Sequence, residues 1–372
     1  MERVDVAIVG GGPMGLAAAR ALGSRGRSAI VFERFQVGHA NGSTAGTTRN
    51  FRLTYHDPLY VRMARLALEG WRALEDEAGL ELLRTVGGLD VGDVTDTAAE
   101  ALRSAGVAFD RPTADEVAAR WPRLRVRPGA RFLWQADGAI VRSRDAVAVL
   151  QRLAIGHGAQ LQEGTTVRVI RTAGNGVELV TEHDEVVRAP AAIVAAGAWT
   201  PGLVRGSGIE VALQPTLEQS TYVETDAHGL PTVIDWAASS DEPPYLVPDP
   251  FEPGIVKAGI HRSGPPVDPD ARSFEPDPVR EERTVSWLRG ILSAPATLRR
   301  TETCLYTTAP DDDFVLDRVG PVVVASPCSG HGFKFTPLIG EILADLTTGE
   351  TPATPLDRFR VGRRALRPRA PA

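Results

Sequence analysis

The sequence predicts an α/β protein in which two domains interleave, one on a parallel sheet and the other rich in strands joined by Pro-rich loops. Three observations predict it. Short apolar runs near residues 4–9, 28–32, 191–194 and 322–325 read as buried strands of one parallel sheet, yet they lie far apart in the chain. A glycine-rich turn follows the first run and opens an Ala-rich helix, the start of a βαβ unit. From about residue 209 to 315 the pattern changes to strands with Pro-rich loops, broken by one helix near 278–293.

Each element has its own signal. Residues 4–9 are β-branched and apolar, Gly10-Gly11-Gly12-Pro13-Met14-Gly15 makes the turn, and the helix runs to residue 25. The second strand, 28–32, ends at Glu33. Leu59, Met63, Leu66, Ala67, Trp71 and Leu74 recur at helical spacing, which predicts an amphipathic helix over 57–77. Thr113-Ala114-Asp115-Glu116 is a capping box for a short helix that stops before Pro122. Residues 143–154 form another helix, stopped by Gly156 and Gly158. Segments 167–170, 177–180 and 185–189 read as a β-meander, 191–194 and 322–325 as buried strands, and 336–346 as the last helix. The expected division assigns 1–85, 143–210 and 315–372 to the domain opened by the glycine turn, and 86–142 and 211–314 to the other.

At 372 residues the chain exceeds one typical domain. The formal charge is −6 and the pI about 5.7, which gives no basic surface for nucleic acid or an anionic membrane. The basic stretch 358–369 is short and Pro-broken and reads as a solvated tail. Two cysteines, Cys304 and Cys328, exclude a disulfide framework and a four-thiolate zinc site, and no metal site is expected. With no signal-peptide pattern and no stretch of about 18 apolar residues, a cytoplasmic protein is expected.

Two motifs carry chemistry. In the first, Gly10 permits a tight turn, Gly12 lets backbone approach a pyrophosphate, and Gly15 packs helix on strand. The helix N-terminus offers N–H groups and partial positive charge to phosphates. Glu33, 18 residues beyond Gly15, can accept ribose hydroxyls and disfavours a 2′-phosphate. The motif alone leaves FAD and NAD open. The second is Ser329-Gly330-His331-Gly332-Phe333-Lys334-Phe335-Thr336-Pro337. Gly330 and Gly332 leave backbone bare, as needed against a flat ring, and Thr336 and Pro337 suit the N-cap and N1 of the last helix. That helix start and Lys334 could stabilise charge on a reduced flavin; the plainer reading is a turn with Lys334 solvated. Arg49 and Arg52 are spaced like neighbours on a helical face, with ordinary salt bridges as the plainer reading. Lys257 and His261, four apart in a strand, share a face.

These residues also carry a resemblance. Val9–Gly15, Asn41-Gly42-Ser43, Thr48-Arg49-Asn50-Phe51-Arg52, Lys257-Ala258-Gly259-Ile260-His261, Cys304-Leu305-Tyr306-Thr307 and 329–335 stand in the order of the monomeric sarcosine oxidase and N-methyltryptophan oxidase family. The chain resembles that family along essentially its whole length. The resemblance implies an α/β fold with an FAD-binding Rossmann-like domain interleaved with a substrate domain on a larger, mostly antiparallel sheet, and a monomer. It implies FAD, linked covalently through Cys304; Cys328 reads as a small buried hydrophobe. Met14, Arg34, Ser43, Thr48, Gly330, Gly332 and Phe333 fall at cofactor-binding positions, with Arg49 at the flavin face. Arg52 and Lys334 would take a substrate carboxylate, and Lys257 would activate O2 near the flavin N5. Tyr245 and Tyr306 fall at active-site positions. His261 and His331 would be polar walls, although either could be a structural histidine.

The implied activity is oxidation of a C–N bond in a small secondary amine or amino acid, giving an imine and hydrogen peroxide. Segments 53–57 and 230–252 depart from the family pattern, which points to a bulkier or cyclic amino acid rather than sarcosine. The rival readings are a dehydrogenase using another electron acceptor, a non-catalytic flavin protein, and an aromatic monooxygenase.

Overall fold

A computed structural model describes residues 4–363. The four predicted strands stand side by side in a six-stranded sheet ordered Val315–Val319, Val322–Ser326, Ala191–Val194, Val6–Val9, Ala29–Phe32 and Gln160–Gln162. All neighbours are parallel except the hairpin at the first edge. Such strands need cover on both faces, which explains their continuous apolar runs. Helices Pro13–Ser24, Ser143–Gly156 and Thr336–Thr348 cover one face. The predicted meander, Val167–Ala173, Gly176–Thr181 and Val186–Ala189, covers the other.

The second sheet has seven strands, ordered Ala296–Thr308, Gln214–Thr225, Ile255–Ile260, Pro244–Pro248, Thr232–Asp235, Gly88–Val91 and Phe132–Gln135. One pair is parallel and the others antiparallel. Helix Pro278–Ile291 packs Leu288 among Val223, Leu246, Val256 and Ala258 on one face. Alternation sends Tyr222, Tyr245, Lys257 and Cys304 to the opposite face. Between the sheets, Thr48–Phe51, Leu83–Thr85 and Ala139–Arg142 form a small antiparallel sheet.

Helix Pro58–Ala78 matches the predicted periodicity and is capped by Asp57, whose carboxylate accepts from Leu59 N. The Thr113–Glu116 capping box is present. Three expectations need correction. Arg49 lies in a strand and Arg52 just beyond it, so their spacing is not that of a helical face: Thr48–Phe51 pairs with Ala139–Arg142, and pairing overrides local spacing. Thr336 is the first helical residue rather than the cap. A 3-10 turn, Phe333–Phe335, already carries the chain into helical geometry, and the Thr336 hydroxyl donates back to Phe333 O at 2.7 Å. Finally, the basic stretch is tied down as far as it is described. Arg358 pairs with Asp57 and Asp313, and Arg363 with Asp311. Its remainder, and Met1–Arg3, lie outside the described residues.

Candidate active site

The glycine turn divides its labour. Gly10 sits at φ +109°, and a Cβ there would stand 2.4 Å from Ala195 O. A Cβ on Gly15 would stand 2.0 Å from Gly10 O, whereas one on Gly12 would meet nothing within 4 Å. The fold therefore demands Gly10 and Gly15, while Gly12 lies open to the cavity. Helix Pro13–Ser24 begins with no side-chain cap, leaving N–H groups to an anion. Met14 lines the same space. Glu33 is buried and accepts Gly11 N and Phe35 N, each at 2.8 Å. Burial would raise its pKa, but His39 and those amides hold it below the usual carboxylate value. Arg34 also lines the cavity and pairs with Asp270 at 2.5 Å.

From this turn a cavity of about 1600 Å³ runs past Ser43 and Thr48 to Arg49, Arg52, Lys257, Cys304 and Lys334. Sites for one small ligand span roughly 300–1,000 Å³, so this one has room for a dinucleotide and a substrate together. Gly330 and Gly332 line it as well. Gly330 has φ +77°, and its Cβ would stand 2.4 Å from the Tyr306 ring; a Cβ on Gly332 would stand 1.5 Å from Pro327 O. Arg49 lies 5.8 Å over the Phe333 ring and donates to Thr48 O at 2.9 Å.

The far wall is made of buried polar groups. Lys257 Nζ donates to Thr48 O at 3.2 Å. Burial, with Arg49 beside it, lowers its pKa to about 7. His261 faces Tyr306 Oη at 3.4 Å, and burial pulls its pKa down to about 3. His331 Nδ1 lies 3.2 Å from Tyr55 Oη, and burial lowers its pKa too. Both imidazoles are therefore neutral at pH 7. Tyr245 meets Ser220 Oγ at 3.3 Å. Lys334 is buried, donates to His331 O at 2.7 Å and lies 5.6 Å from the Tyr55 ring. Burial and nearby Arg52 push its pKa well down. Arg52 stands 4.5 Å over Tyr55 and 6.0 Å from Trp236. Among the described residues neither Arg52 nor Lys334 makes a salt bridge.

Residues 5–346 match the family described as FAD dependent oxidoreductase. The chain belongs to that family. A probable sarcosine oxidase of Arabidopsis thaliana is 31% identical, with 92% of this chain and 88% of that protein aligned. A monomeric sarcosine oxidase of Bacillus sp. (strain B-0618) is 30% identical over 98% of this chain and 97% of its own. The open form of NikD, an unusual amino acid oxidase essential for nikkomycin biosynthesis, superposes with a TM-score of 0.87. It is 28% identical, covering 97% of this chain and 98% of its own.

The oxidoreductase's own residues fit an FAD. Gly12 is bare, the first helix has no side-chain cap, and among the described residues the Thr48 hydroxyl is buried without a partner beside the cavity. The site residues singled out in the sequence line this one cavity except Gly15, which packs the first helix on the first strand. Cys328 departs from the expected buried hydrophobe: it is part-exposed, lines the cavity, and its sulfur accepts from Thr307 N at 3.3 Å. Sequence reasoning missed an aromatic wall. Tyr55, His56 and Trp236 surround Arg52, and the Trp236 indole donates to buried Asp90 at 2.8 Å. Their signal was the departure of segments 53–57 and 230–252 from the family pattern. No helix of the described residues is long and apolar enough to cross a membrane.

Proposed function

We propose that the enzyme is an FAD-dependent oxidase of a small secondary amine or amino acid, with a carboxylate and a cyclic or bulky side chain. The observation that carries this is the pair Arg52 and Lys334, two basic side chains meeting over one cavity, neither of which makes a salt bridge among the described residues; the buried carboxyl that Arg52 influences, Asp90, is engaged by the Trp236 indole. An unpaired buried charge is costly, so an anion should complete the pocket. Arg52 can fork onto a carboxylate while Lys334 approaches from another direction. The wall of Tyr55, His56 and Trp236 then offers flat apolar faces to a ring. FAD, when bound, supplies the two-electron acceptor for the C–N bond and passes the electrons to O2, yielding an imine and hydrogen peroxide.

The protein's part is positioning. Residues 10–15 hold the pyrophosphate and Glu33 the ribose; Met14, Arg34, Ser43, Thr48, Gly330, Gly332 and Phe333 line the rest. Lys257 presents an ammonium where superoxide would form. Neutral His261, His331, Tyr245 and Tyr306 surround the amine without adding charge. Cys304 faces the cavity; burial raises its pKa, while Arg49, Lys257 and Arg272 oppose the rise, and we assign it the covalent link. The domains are taken as 1–85, 143–210 and 315–372 for FAD and 86–142 and 211–314 for substrate. Two cysteines with no disulfide between them suit a reduced cytoplasmic setting, and the likeness to monomeric sarcosine oxidases supports reading the enzyme as a monomer.

The test is anaerobic bleaching of the flavin by a panel of secondary amines, cyclic imino acids and amino acids. Carboxylate-bearing members should bleach it and their decarboxylated analogues should react poorly. If uncharged amines prove best, and acetate and benzoate leave the spectrum unchanged, the amino-acid assignment fails.

A further inference from the structure

The chain holds two lysines, Lys257 and Lys334, beside 39 arginines, and both are buried against the cavity. An ammonium titrates where a guanidinium does not, so what sets the charge on Lys257 matters to the site. The charged and titratable groups facing it come from several elements. Arg49 on the small sheet opposes its protonation, whereas Glu302 and, after strand Pro244–Pro248, Asp249 favour it; Cys304 would add to them only as a thiolate, before it is linked to flavin.

Strand register places part of this set in one row. Tyr222 lies directly opposite Lys257 on one side and Arg300 on the other. Glu302 is two residues beyond Arg300, so all four point to the same face. The Tyr222 ring stands between two cations: Lys257 Nζ is 5.9 Å and Arg300 Cζ 3.9 Å from its centre. Arg300 Nε donates to Glu302 Oε1 at 2.8 Å. The turn at Gly46, φ +97°, folds over this row. A methyl on Gly46 would stand 2.9 Å from Tyr222 Oη, 3.3 Å from Arg49 Nη1 and 3.5 Å from Glu302 Oε2. The second oxygen of Glu302 therefore faces the Arg49 and Tyr222 side, while its first is engaged by Arg300.

We propose that Arg300 and Glu302 are positioning residues for Lys257: Glu302 keeps the ammonium charged, and Arg300, across the Tyr222 ring, opposes it. The inference rests on reading Lys257 as the cation on the oxygen side and adds what governs its charge. Removing Glu302 takes away an attractive charge and leaves Arg300 and Arg49 uncompensated. Removing Arg300 does the reverse. The two neutralising substitutions thus act with opposite signs, which a merely structural disturbance would not produce.

The experiment uses holoenzyme labelled at lysine Cε with carbon-13. It should give two side-chain signals, assigned with Lys257→Met and Lys334→Met. On titration, Glu302→Gln should move the Lys257 midpoint down by about one pH unit, the size expected when one nearby charge is lost at an effective dielectric near 20. Arg300→Gln should move it up, and Tyr222→Phe should leave it in place. The Lys334 signal should hold in all three and reports an intact cavity. Shifts of the same sign for Glu302→Gln and Arg300→Gln, or none, would overturn the proposal; so would a Tyr222→Phe shift as large as that of Glu302→Gln, which would indicate a hydrogen-bonded relay. The reoxidation rate should follow each displaced midpoint. If the midpoint moves but reoxidation does not, the oxygen role of Lys257 fails while its control by Glu302 stands.

Discussion

The two ends of the cavity are built on different terms. The dinucleotide end is mostly backbone: a positive-φ glycine, a bare glycine, a close-packed glycine and an uncapped helix start. The other end is mostly side chains, with Lys257, Tyr245, Tyr306 and Cys304 projecting from three strands of one sheet. A backbone site is sensitive to added volume and nearly indifferent to removed charge. A side-chain site reverses those sensitivities, because what it contributes is charge and hydrogen bonding in a dry space.

The largest effect should come from volume at the backbone end. Gly15→Val puts a Cβ 2.0 Å from Gly10 O and should abolish soluble, folded protein, as read by expression and thermal unfolding. Gly12→Val has open space within 4 Å, so the apoprotein should unfold at an unchanged temperature while FAD affinity falls. Equal melting losses in the two variants would erase the distinction between fold-required and ligand-required glycines. At the other end, Arg52→Ala should leave folding intact yet slow anaerobic flavin reduction by on the order of 100-fold, since positioning and charge pairing are lost together. The same variant should no longer bind acetate or benzoate, as seen in the flavin spectrum.

A pH effect of about tenfold per unit should follow. Lys257 is charged below its pKa of about 7 and neutral above it, so reoxidation of the reduced enzyme should fall as pH rises through that value. A flat profile from pH 6 to 8 would detach the lysine from the oxygen step. The mildest change is Cys304→Ala, which should release flavin on acid precipitation while the fold persists. Cys328→Ala should leave the adduct in place; a mass spectrum locating it on Cys328 would reverse the assignment.

The same contrast explains what could be read in advance. Residues 4–33 declare the backbone end because strand, turn, helix and acid are consecutive and each is dictated locally. Arg49 and Arg52 show the opposite. Their spacing suggested a helix, and only the partner strand Ala139–Arg142, some 90 residues away, makes them part of a sheet. Trp236 and Asp90 meet through strands Thr232–Asp235 and Gly88–Val91, a pairing no local pattern announces. Lys257 and Lys334 carried a signal independent of resemblance: they are the chain's two lysines, and both face the cavity.

The most direct test is stopped-flow oxidation of the anaerobically reduced enzyme by O2, comparing wild type with Lys257→Met. The account predicts second-order reoxidation with one hydrogen peroxide per flavin, slowed by on the order of 100-fold or more in the variant, as for loss of a fixed charge at a developing anion. Flavin reduction by substrate should be far less affected. Slow reoxidation in wild type, equal to that of Lys257→Met, would contradict the account and make the enzyme a dehydrogenase.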